Sequence, residues 1–197
     1  MQELEILTEK DQEYLINALQ KSCQMILPRS DQKFGALSFH IYVFDERSTE
    51  GDNVFQIRWG IRKLFQDKNI GKTDSQTLLK TLAQMIDKNS ETIKKEINEY
   101  CMEQLQTYTA MEVEPVLNKS FGGLYDIKLG LCRGRKRTEE VKNSGWANFC
   151  MVISWTDEFG EFQEFLYPIT LNDDQSCFDI PVEHIIKEFR KYRDSLF

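Results

Sequence analysis

Apolar residues recur at every second position in two separate parts of this chain, and a long stretch of helical periodicity divides them. In "GALSFHIYVFDERSTEGDNVFQIRWGIRKLF", Leu37, Phe39, Ile41 and Val43 share one face of an extended strand, and Ser38, His40, Tyr42 and Phe44 share the other. After the polar reversal "DERSTEGDN", Phe55, Ile57, Trp59 and Ile61 repeat the pattern, with Gln56, Arg58 and Arg62 opposite. A period of two marks half-buried β-structure, and a turn-rich break between two such runs marks a hairpin.

The same period returns further along. Tyr125, Ile127, Leu129 and Leu131 alternate with Asp126 and Lys128. Ala147, Phe149, Met151, Ile153 and Trp155 form a second run, and "FQEFLYPITL" forms a third after the turn "TDEFGEFQ". Pro168 has no N–H to give a ladder, which assigns its strand to an edge or a bulge. These three strands read as a meander.

Helical spacing governs the remainder. Thr8 with Asp11 three residues on resembles a capping box ahead of Leu15, Leu19, Met25 and Ile26, and Pro28 closes that helix. In the middle, Thr73, Asp74 or Ser75 caps a helix with its apolar stripe at Leu78, Leu79, Leu82, Met85 and Ile86. The break "DKNS" leads to a second, capped by Ser90 and lined by Ile93, Ile97, Tyr100, Cys101, Leu105 and Tyr108, with Pro115 limiting its length. So short a break predicts a helical hairpin. At the end, Pro181 opens a helix whose stripe is Val182, Ile185, Ile186, Phe189 and Leu196.

The order predicted is α-β-β-α-α-β-β-β-α. It implies one α+β domain over residues 1–197, with the helical hairpin 73–114 inserted between the strand groups. Its centre is an antiparallel sheet of about five strands, a hairpin plus a three-stranded meander. An N-terminal helix, the central pair and a C-terminal helix cover it. A chain of 197 residues is long enough to bury such a core without staples.

Composition narrows the function. The net charge of −7 opposes a general nucleic-acid or anionic-membrane surface. The five cysteines are odd in number and show no C-x-x-C spacing, so neither a zinc site nor a redox pair is expected. No apolar run reaches the roughly 20 residues of a membrane span, and "MQELEILTEKDQ" lacks the basic and apolar regions of a signal peptide. The cytoplasm is the expected location, with no cofactor and no metal.

Few stretches suggest chemistry. Arg133, Arg135, Lys136 and Arg137 make a basic burst between two strands, with Glu139 and Glu140 offsetting part of its field. It is read first as a hairpin tip, second as a protein contact and third as a phosphate contact. Asp126 and Lys128 have the acid-x-Lys spacing that aims two side chains at one site. A metal-dependent nuclease could use them to hold a cation and to support the attacking water. They are the only catalytic candidates, and such a site needs a further carboxylate nearby in space. His40 and His184 are the two histidines and show no metal-ligand spacing. "TDEFGEFQE" and "NDDQSCFD" match no Ca²⁺ loop and read as turns.

The set opposite the expected core face is mixed: His40, Tyr42, Gln56, Arg58, Arg62, Asp126, Lys128, Asn148 and Ser154. A face carrying an aromatic and arginines suits a protein partner. The expectation is therefore a non-enzymatic cytosolic protein-binding module of the inhibitor, immunity or adaptor kind. His40, Tyr42, Arg58, Arg62 and the basic burst are its contact residues. Two alternatives stand behind it. One is nucleic-acid binding or nuclease activity through Arg133–Arg137 with Asp126 and Lys128. The other is a small-ligand enzyme whose site assembles only in the fold.

Overall fold

The computed structural model describes residues 7–27, 39–45, 53–59, 62–70, 74–122, 126–131, 149–171 and 178–196. The chain is α+β, and it forms two compact units, which divide after Tyr100. The strands lie in two antiparallel sheets, one in each unit, and not in a single sheet of about five.

The first unit begins with α1 (Glu9–Cys23). The Thr8 hydroxyl accepts from the Asp11 amide at 3.3 Å, and the Asp11 carboxylate accepts from the Thr8 amide at 2.9 Å. The capping box therefore forms with Asp in the usual Glu position. Leu15, Leu19 and Cys23 are its buried stripe. The helix stops at Gln24, in the left-handed region at φ 50°, and not at Pro28. Backbone bonds from the Gln24 and Met25 amides to Lys21 and Gln20 close its last turn.

Strands β1 (Phe39–Asp45), β2 (Asn53–Trp59) and β3 (Arg62–Ile70) follow, with β2 central. The third strand was not expected. Arg62, read as part of the second strand, opens β3 instead, because the chain reverses after Trp59 and Trp59 pairs with Arg62. Residues 62–70 hold only three large apolar residues, Leu64, Phe65 and Ile70, too few to show a period of two.

Asp74 caps α2 (Ser75–Lys88), its carboxylate accepting from the Thr77 amide at 3.0 Å and the Thr77 hydroxyl at 2.6 Å. Asn89 alone separates α2 from α3 (Ser90–Tyr108), and Ser90 is already helical. α2 lies along α1, where Ser22 donates to Asp87 at 3.0 Å. Phe55, Ile57, Trp59, Leu64, Leu82, Ile86, Ile93 and Ile97 are buried with the α1 stripe as this unit's core.

In the second unit the helical region runs on past Pro115. A π-helical turn at Thr109–Val113 follows α3 and leads into α4 (Glu114–Phe121). There Pro115 sits in the first turn, where its missing N–H breaks no helical bond. Buried Thr109 donates its hydroxyl to the Leu105 carbonyl at 2.7 Å. Gly122, at φ 64°, ends α4 in the left-handed conformation that glycine adopts at least cost.

Strands β4 (Asp126–Leu131), β5 (Phe149–Thr156), β6 (Phe162–Leu171) and β7 (Phe178–Asp179) are ordered β4-β5-β6-β7. The meander of β4, β5 and β6 was expected, and β7 is an addition pairing only with Thr170 and Leu171. Pro168 lies opposite Cys150 of β5, on a stretch of β6 that has no described strand on its other side. That is the edge position its missing donor requires.

The last helix, α5 (Val182–Asp194), places Phe189 at the centre of an aromatic cluster. Its ring meets those of Phe121, Trp155 and Phe165 at centroid distances of 5.0, 5.1 and 5.6 Å. Edge-to-face geometry of this kind adds to the burial of each ring. Ile185 and Phe189 are fully buried, but Leu196 is exposed, because the helix ends before it.

Candidate functional site

One carboxylate builds the tip of the β5–β6 hairpin. Thr156 pairs with Phe162, and residues 157–161 make the reversal. Asp157 Oδ1 accepts from the amides of Phe159 at 3.0 Å and Glu161 at 2.8 Å, and Oδ2 accepts from Gln163 Nε2 at 2.9 Å. The Asp157 amide donates to the Glu161 carbonyl, and Gly160 takes a φ of 82°. The bonds from Gln163, Glu161 and Phe159 hold the Asp157 carboxyl below its usual range.

This turn displays two aromatic rings. Phe159 is 76% exposed and Phe162 is 68% exposed. Phe162 pairs with the exposed Thr156 at the hairpin end of the sheet, on the face opposite to that of Trp155. Glu158, Glu161 and Glu164, close to the two Phe residues in sequence, are exposed, and none has an ion-pair partner among the described residues. The segment "TDEFGEFQE" makes the turn its sequence predicts, and it does more. Its overlooked signal is two Phe residues in a segment where polar residues suffice to turn the chain.

The residues singled out from sequence fall into separate places. In the first sheet His40 is opposite Arg58 and Tyr42 is opposite Gln56. Across β2 and β3, Gln56 Nε2 donates to Gln66 at 2.9 Å, Lys63 donates to the same oxygen at 2.9 Å, and Arg58 Nε donates to Gln56 at 3.0 Å. Gln56 is only 7% exposed, so this row is an internal amide ladder at that position, with Lys63 at its exposed end. Arg62 is not part of it. It pairs with Glu96 at 3.5 Å, its guanidinium lies 5.6 Å from the centroid of Tyr100, and Tyr100 meets Trp59 edge to face.

Asp126 and Lys128 belong to β4, in the second sheet, so they share no sheet face with His40, Tyr42 and Arg58. Their register partners on β5 are Ser154 and Val152, neither of them a carboxylate. In the same row the next acid is Glu164 on β6, two strands from Asp126 and so roughly 9–10 Å away along the sheet. Arg133, Arg135, Lys136, Arg137 and Asn148 lie outside the described residues. The strands flanking the basic run pair as expected, with Leu131 opposite Phe149. Cys150 and Ser154 are buried, so β5 is covered on both faces at these positions.

Among the described residues, His184 and Cys23 are engaged. Tyr167 and His184 Nδ1 share a hydrogen bond at 2.9 Å, and Glu188 lies 3.9 Å from His184 Nε2 and 2.7 Å from Lys191. The Cys23 thiol donates to the Ser90 carbonyl at 3.5 Å, and burial pushes its pKa up to about 11, so it stays protonated and unreactive at neutral pH. Among the described residues no group of three or more His, Cys, Asp or Glu could hold a metal ion, and no helix is long and apolar enough to cross a membrane. No family model, no curated protein and no solved structure matches this chain.

Proposed function

We propose that this chain is a non-enzymatic protein-binding module, an inhibitor, immunity-type or adaptor protein working in the cytoplasm. The observation that carries the reading is the β5–β6 tip, where two phenylalanines are held in water on a turn cross-braced by Asp157. Exposing two large rings is unfavourable for an isolated domain, and aromatic side chains on a rigid support are the usual anchors of protein interfaces. Preorganisation lowers the ordering cost of binding. The Arg133–Arg137 run is a further candidate contact of the same unit, the His40, Tyr42 and Arg58 positions are separate candidates on the first unit, and Arg62 acts in holding β3 to α3.

The nuclease alternative draws no support from the register, since cation ligands sit about 2.0–2.6 Å from the ion and Asp126 and Glu164 are separated by a whole strand. The test is affinity capture with the wild-type chain beside F159A/F162A. Wild type retains a specific protein that the double variant does not. Retention of no specific protein by either sinks the reading; equal retention by both, with thermal stability unchanged, takes the tip out of it and leaves protein binding to another surface.

A further inference from the structure

We propose that the β5–β6 tip is a plug whose partner is a folded protein with an apolar socket rimmed by Lys or Arg. Phe159 and Phe162 enter the socket, and Glu158, Glu161 and Glu164 face its rim. This rests on the protein-binding reading above and adds the chemistry of the partner.

Charge carries the inference. Residues 157–164 contain four carboxylates and no cation. Asp157 spends its oxygens inside the turn, while the other three acids are exposed and lack ion-pair partners among the described residues. Three exposed carboxylates within a few residues of two apolar side chains are costly to bury against an acidic or neutral surface and favourable against a basic one. The same charge argues against other occupants. Phosphate backbones and anionic headgroups repel it. A second copy of this chain brings another net charge of −7. Rigidity supports a socket over a flat patch: the turn is tied by three bonds to one carboxylate, and the left-handed Gly160 makes its reversal sharp.

A photo-crosslinking residue in the full-length chain tests this. Benzoylphenylalanine replaces Phe159 in one sample and the exposed Tyr14 of α1 in a control. Both are irradiated in soluble extract of the producing cells, and the adducted peptides are mapped by mass spectrometry. The expected result is a protein adduct at position 159 but not at 14, on apolar residues with Lys or Arg beside them. With that partner purified, E158Q/E161Q/E164Q associates about tenfold more slowly at low salt, and F159A/F162A lowers affinity by at least ~30-fold. Adducts to lipid alone, or none, overturn both this inference and the protein-binding reading. An adduct only on a second copy overturns the socket and leaves protein binding standing. So does a partner whose binding ignores salt and the glutamine substitutions.

Discussion

Asp157 and Phe189 mark two extremes of what one side chain does here. Asp157 is a solvent-side carboxylate whose work is local. It is held below its usual range by Gln163 first and then by two backbone amides, so the folded turn prefers its ionised form. Its contribution is complete above the unfolded carboxyl value, about 3.9, and is lost as pH falls through the lowered folded value. Asp11, Asp74 and Glu188 have the same sign, through Thr8, Thr77 and Lys191 respectively. Amide exchange followed by NMR should show Phe159 and Glu161 protected at pH 6 and losing protection as Asp157 is protonated. Asp157→Ala should remove that protection at every pH while the amides of β5 stay protected. Phe189 works globally. It is fully buried among Phe121, Trp155 and Phe165, so Phe189→Ala should cost about 3–5 kcal/mol in denaturant unfolding. Phe159→Ala, removing a ring that is already in water, should change stability by less than about 0.5 kcal/mol. That contrast separates a binding ring from a structural one.

At the scale of elements, the caps of α1 and α2 are where sequence and structure agree most closely. Thr8→Ala removes one half of the box that starts α1 and should lower stability by about 1 kcal/mol, read as a shift in the urea midpoint at constant slope. Caps were legible because they depend on residues three positions apart. The existence of β1, β2, β4 and β5 was legible for the same local reason, though Val54, Gln56, Cys150 and Ser154 are buried where alternation alone would put them outside. What failed needed information from further away. The sequence around Asn89 shows where one helix ends and the next begins, but not that α2 lies along α1. Pro115 reads as a stop until a π-helical turn places it at the start of a new helix. β3 escaped because its apolar residues are too few to alternate, and its partner β2 defines it through register. The division of the strands between two sheets is non-local in the same way. It separated Asp126 and Lys128 from His40, Tyr42 and Arg58, which the sequence had grouped on one face. The hairpin turn at 157–161 was legible as a turn. Its aromatic display was not, because exposure depends on which face of β6 meets the core. Gly160→Ala tests the turn itself: nothing crowds an added methyl, so the backbone cost at φ 82° alone should apply, about 1–2 kcal/mol, seen in the exchange of the tip amides.

The whole molecule is defined by its charge as much as by its cores. Twenty-five cations against 32 carboxylates give −7, and the one dense basic run, Arg133 to Arg137, carries four of those cations. If that run were a phosphate site, each contact would release counterions, and affinity would fall steeply with salt, with a slope of about −0.9 per phosphate neutralised on duplex DNA. The surrounding negative field acts in the opposite sense and is longest-ranged at low salt, where the Debye length reaches about 30 Å at 0.01 M. Four cations in such a field should not hold duplex or single-stranded DNA at any ionic strength used for binding. Filter binding from low to physiological salt should therefore show no retained complex, and reversing Arg133, Arg135, Lys136 and Arg137 to Glu should change nothing. A complex that forms at low salt, dissociates with the slope above and disappears in the reversed variant would promote the nucleic-acid reading over protein binding. The same reversal separates the two protein-facing roles. A run that contacts an acidic patch on the partner should lose affinity on reversal, while one that only solvates the β4–β5 connection should leave binding through Phe159 and Phe162 unchanged.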